Sequence, residues 1–120
     1  MNLAVTIEIP MLLPSLANIS GHWTKIAKIK KNQKNLVHLF MSPYVHIFHY
    51  MKHYNIKMTR ISPRQLDPDN LISAFKAITD AVASFLRPGL KPGRADGLDC
   101  FTFSYDQEKG KPSVVKIEIT

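Results

Sequence analysis

The stretch from Leu66 to Phe85 constrains the fold more than any other part of the chain. Pro68 disfavours helical backbone at Asp67, and its own fixed φ suits the first position of a helix. A helix is therefore predicted from about Pro68 to Phe85. On its wheel Leu71, Ala74, Phe75, Ile78, Val82 and Phe85 fill one face, while Asp69, Ser73, Lys76 and Asp80 fall on the opposite stripe. So complete an apolar face needs a packed layer against it.

Strands supply that layer. Leu3, Val5, Ile7 and Ile9 alternate with Ala4, Thr6 and Glu8, the period of a half-buried strand that Pro10 and Pro14 end. A second helix is predicted from about His22 to Phe40, with Trp23, Ile26, Ala27, Ile29, Leu36, Val37 and Phe40 on one broad face and Lys25, Lys28 and Lys31 opposite. Ser42-Pro43 interrupts it, and the segment Tyr44 to His53 fits strand or helix equally. Tyr54 to Ile61, Phe101 to Tyr105 and Val114 to Ile119 read as strands, the last two joined as a hairpin through Gln107 to Pro112. The order is β, α, undecided, β, α, β, β. It predicts one α/β (α+β) domain over residues 1–120, a single mixed sheet packed by two main helices. Trp23 and most of the Phe and Tyr residues are expected in the core.

Charge is placed unevenly along this frame. Residues 1–66 carry nine basic side chains against one acidic, Glu8, whereas residues 67–120 carry seven against eight. All five histidines fall in the basic half. Such asymmetry suggests a polyanionic partner, since neutralising phosphates releases condensed counterions. The plainer reading is a hydrated basic face. A membrane partner is not expected, because no apolar run approaches the length of a span. The one cysteine, Cys100, excludes an internal disulfide, and the opening residues lack the basic start of a secretory signal. A cytoplasmic protein is the expectation.

The candidate chemistry lies in carboxylates. Asp67 suits a helix N-cap and Asp69 the first turn, where each would act structurally. Two carboxylates at one helix start also make a hard-oxygen site of the kind Mg2+ prefers, and the positive helix end favours their ionised form. Asp96-Gly97, after a Gly/Pro-rich loop, reads as a turn, or as a third ligand if its strand lies beside the helix start. Lys76 and Asp80 lie one turn apart and can form an ordinary surface ion pair.

Taken together, Leu66-Asp67-Pro68-Asp69-Asn70-Leu71, Phe75-Lys76, Asp80-Ala81, Asp96 and the strand ending Tyr105-Asp106-Gln107 resemble the RusA-type Holliday-junction resolvases and related small phage endonucleases. Leu13-Pro14-Ser15-Leu16, with Asn18 and His22-Trp23, is similar to that family's opening loop. The resemblance implies a homodimeric, Mg2+-dependent endonuclease (Mn2+ as a substitute) that nicks four-way DNA junctions symmetrically in recombination and repair. It implies Asp67, Asp69 and Asp96 as metal-site residues and Lys76 as the catalytic lysine. Lys25, Lys28, Lys30, Lys31 and Lys34 would then hold phosphates beyond the catalytic site. Two positions depart from the family pattern. Ala95 stands where a first aspartate of a pair is common, and Lys76 follows Asp67 by nine residues where the compact motif has six. They raise the alternative of a catalytically impaired nucleic-acid-binding protein on the same fold. A third reading is a basic domain that docks on an acidic protein.

Overall fold

A computed structural model describes residues 3–15, 23–88 and 100–120. The architecture is α+β, a four-stranded mixed sheet with two long helices. In chain order the elements are β1 (Val5–Ile9), α1 (Trp23–Met41), α2 (Val45–Phe48), β2 (Tyr54–Ser62), α3 (Pro68–Leu86), β3 (Phe101–Lys109) and β4 (Val114–Ile119). Between α1 and α2 the chain tightens into a 3-10 turn over Ser42–Tyr44, with Pro43 in its first turn. The proline narrows the helical path without ending it, so the undecided segment is helical as far as Phe48. The buried Tyr54 hydroxyl donates to the Phe48 carbonyl at 3.0 Å and joins this turn to the central strand.

The period-2 pattern decides which sheet face meets the helices. Val5, Ile7 and Ile9, then Ile56 and Met58, then Val115, Ile117 and Ile119 are all buried, while Thr6, Glu8, Lys57, Asp106, Lys116 and Glu118 belong to the other, polar face. On the covered side α3 buries Leu71, Ala74, Phe75, Ile78 and Val82, as its periodicity predicts. Burying a side chain such as Phe75 or Ile78 contributes roughly 1.5–3 kcal/mol. Thr79 adds a polar tie, its hydroxyl 2.9 Å from that of Tyr105 on β3.

The strand order is β1-β4-β2-β3, which corrects the expected hairpin. β3 runs parallel to β2 after the α3 crossover, and β4 enters antiparallel on the other side of β2, between it and β1. The link from β3 to β4 therefore passes across the end of β2. There the Gly110 N–H donates to the Ser62 carbonyl at 3.1 Å. A Cβ at Gly110 would sit 3.0 Å from Ile61 Cγ2, so this close passage favours glycine. The exchange has a physical basis. β4 turns Val115, Ile117 and Ile119 inward and is fully buried on that face only with a strand on each side.

Helix α1 also departs from its expected face. Its buried residues are Gln33, Val37 and Met41, and Trp23 at its start is 77% exposed. Ala27 is exposed too, and Ile26 and Ile29 are only half-buried. Burial thus begins in the second half of the helix. Trp23 is no core residue, and neither is Tyr50, which is equally exposed. Among the described residues, no helix is long and apolar enough to cross a membrane.

Candidate functional site: the carboxylate end of the crossover helix and its lysine groove

The connection from β2 to α3 leaves the carboxyl end of a strand in a parallel pair, where open α/β sheets commonly place ligands. Two buried side chains define its course. Arg60 lies on the covered face of β2 and is only 5% exposed. Its Nε donates to the Leu13 carbonyl at 2.8 Å and its Nη1 to the Arg64 carbonyl at 2.6 Å. Burial pulls its guanidinium down from its usual value, because desolvation penalises the charged form. The two carbonyls accept the charge that burial would otherwise strand.

Gln107, near the end of β3, grips the residue before the site. Its Oε1 accepts from the Leu66 N–H at 2.8 Å and its Nε2 donates to the Leu66 carbonyl at 2.7 Å. This two-bond contact pairs a side chain with a main chain as a neighbouring strand would. It fixes the backbone one residue ahead of Asp67.

Asp67 then takes the N-cap position with φ −60° and ψ 150°, and its carbonyl accepts from the Leu71 N–H at 2.9 Å. Its side chain makes no cap hydrogen bond. Asp69 sits in the first turn and, like Asp67, is exposed. Neither carboxylate has a hydrogen bond or ion pair among the described residues. The helix start therefore holds two carboxylates that no other described residue engages. Asp96, the third expected ligand, and the neighbouring Ala95 lie outside the described residues. Among the described residues, no three His, Cys, Asp or Glu side chains gather as a metal site.

Lys76 stands seven residues beyond Asp69, about 10 Å along the helix at 1.5 Å per residue. Its Nζ donates to Asp80 Oδ1 at 3.1 Å, the one-turn ion pair that the spacing allows. Both residues face a groove of about 290 Å3 between α1 and α3, lined also by Lys30, Lys31, Lys34 and Ser84. Three of the five lysines singled out on α1 thus meet Lys76 across one groove, while Lys25 and Lys28 do not line it.

Sequence reading assigns Arg60 and Gln107 no positioning role, although for Arg60 one signal is present. Arg60 falls in register with Ile56 and Met58 on a strand whose even positions face inward, and a charge there needs buried partners. In comparisons with known proteins, the chain matches no family model and no curated protein.

Proposed function

We propose that this chain is a Mg2+-dependent, structure-selective DNA endonuclease that cuts four-way or related branched junctions, working as a homodimer in the manner of the RusA-type resolvases. One observation carries the proposal. Asp67 occupies an N-cap position yet makes no side-chain cap bond, and neither its carboxylate nor that of Asp69 has a hydrogen bond or ion pair among the described residues. A purely structural Asp67 would accept a hydrogen bond from the open N–H groups of the first turn. The backbone that carries the two carboxylates is held by Gln107 and Arg60, which supports a site with fixed geometry.

Hard-oxygen donors at a positive helix end fit a hard divalent cation. Asp67 and Asp69 would hold it, with Asp96 as the third ligand by resemblance. When bound, the ion supplies an acidified water and charge neutralisation at the phosphate. The chain's own part is to fix the two carboxylates, through the Leu66 anchor, and to hold a cationic side chain, Lys76, on the same exposed stripe. A fixed ammonium stabilises charge that develops on a phosphate oxygen. Two matched nicks need two such sites, which a two-fold dimer provides.

The decisive experiment incubates a labelled four-way junction with the protein and Mg2+. Paired nicks at symmetric positions are expected. Binding without cleavage, in Mg2+ and Mn2+ alike, rejects the nuclease. It would favour the second reading, a non-catalytic nucleic-acid-binding protein. That reading draws support from the ion pair that ties Lys76 to Asp80 in the lysine groove.

A further inference from the structure

The groove between α1 and α3 is unusual in its charge. Among the described residues, Lys30, Lys31 and Lys34 from one helix and Lys76 from the other share a space of about 290 Å3 with one carboxylate, Asp80. Four ammonium groups around one small concavity give it a positive potential, and the three on α1 are exposed to solvent. The helices already meet through buried side chains, and Ala77 and Ala81 leave the groove floor shallow. Like charges in a cleft with low-dielectric walls focus potential outward and concentrate an anionic ligand.

We infer that this groove is a track for the sugar-phosphate backbone of one DNA strand, leading to the carboxylates at the start of α3; this rests on the nuclease reading above. Three features favour a phosphodiester chain over a single small anion. The groove is elongated along α3, with Lys76 and Ser84 two helical turns apart on one wall. Its cations are lysines, which meet phosphates as point charges and do not impose the fixed fork of arginine. Lys76 also sits about 10 Å from Asp69 along α3, a separation that a short stretch of one strand can span. A strand held in the groove would therefore present a nearby linkage to Asp67 and Asp69. The basic residues of α1 divide accordingly. Lys30, Lys31 and Lys34 grip the strand, and Lys25 and Lys28 contribute only to the general field.

The test compares two triple variants of equal charge. One is Lys30→Gln/Lys31→Gln/Lys34→Gln. The other is Lys52→Gln/Lys57→Gln/Lys116→Gln, which removes three lysines that do not line the groove. Glutamine keeps nearly the helix propensity of lysine, and thermal unfolding verifies that both variants fold. Binding to a fluorescent four-way junction is followed by anisotropy in EDTA over a range of salt. Each lost phosphate contact should lower the salt slope by about 0.7–0.9. The groove variant is expected to lose at least tenfold in affinity and two to three in slope, and the other variant less than threefold and less than one. Equal losses in both variants, or no loss in the groove variant, overturn the track. Cleavage of the same junction in Mg2+ separates the two ideas. A cleaving wild type with equal losses in both variants defeats the groove and leaves the nuclease. A groove-specific loss in a protein that never cleaves leaves a backbone-binding groove and defeats the nuclease.

Discussion

The exposed stripe of α3 has two halves that treat charge differently. At the start of the helix, Asp67 and Asp69 engage no partner among the described residues, although the backbone beneath them is anchored by Gln107 and Arg60. Two turns on, Lys76 is paired with Asp80 and surrounded by lysines of α1. The first half invests its hydrogen bonds in the backbone and leaves the carboxylates idle. The second leaves the backbone to ordinary helix geometry and engages the side chains. Charges that a fold positions but does not use are the better candidates for chemistry, and charges it clusters are the better candidates for binding.

The sharpest way to break this comparison is to neutralise the first half. Asp67→Asn and Asp69→Asn should each reduce junction cleavage by at least roughly 100-fold, the scale of losing a group that acts on developing charge. Stability should hold within about 0.5 kcal/mol in urea unfolding, since neither side chain has a partner among the described residues and Asn caps as well as Asp. Full activity in both variants would remove the distinction between the halves.

Next come the anchors. Arg60→Met should cost about 2–4 kcal/mol of stability, because it leaves the Leu13 and Arg64 carbonyls without their donor in a buried setting. Gln107→Leu should cost about 1–2 kcal/mol by the same argument at Leu66, and should lower kcat more than it raises KM, as expected of a positioning residue. A Gln107→Leu protein with wild-type kcat would detach the anchor from the site.

The smallest effect belongs to the second half. Asp80→Asn breaks an ion pair in which Lys76 is more than half exposed, so stability should fall by no more than about 0.5 kcal/mol. Removing Asp80, the one carboxylate among the described residues of the lysine groove, should strengthen junction binding a few-fold at low salt. Weaker binding would mean that Asp80 chiefly orders Lys76 for the strand.

Sequence periodicity was sufficient for what depends on neighbours along the chain. The inward positions of β1, β2 and β4 follow the alternation, and α3 runs from the proline that opens it to one residue past its expected end. It failed where the deciding partner is remote. Nothing near Gln107 announces a bond to Leu66, 41 residues away, or near Arg60 a bond to Leu13, 47 away. Likewise the apparent β3–β4 hairpin is undone by a passage across Ser62 that only the assembled sheet reveals. Trp23 was misassigned because periodicity shows which residues share a face but not how far along a helix the core extends.

The central claim is that Asp67 and Asp69 together hold a divalent cation, and paramagnetic Mn2+ added to 15N-labelled protein tests it most directly. The amide signals of residues 66–72 should broaden first and at the lowest Mn2+ concentration, and the Asp67→Asn/Asp69→Asn double variant should lose that broadening. Broadening centred elsewhere, for example on Asp106 or Glu118 of the open sheet face, or unchanged in the double variant, would contradict the account.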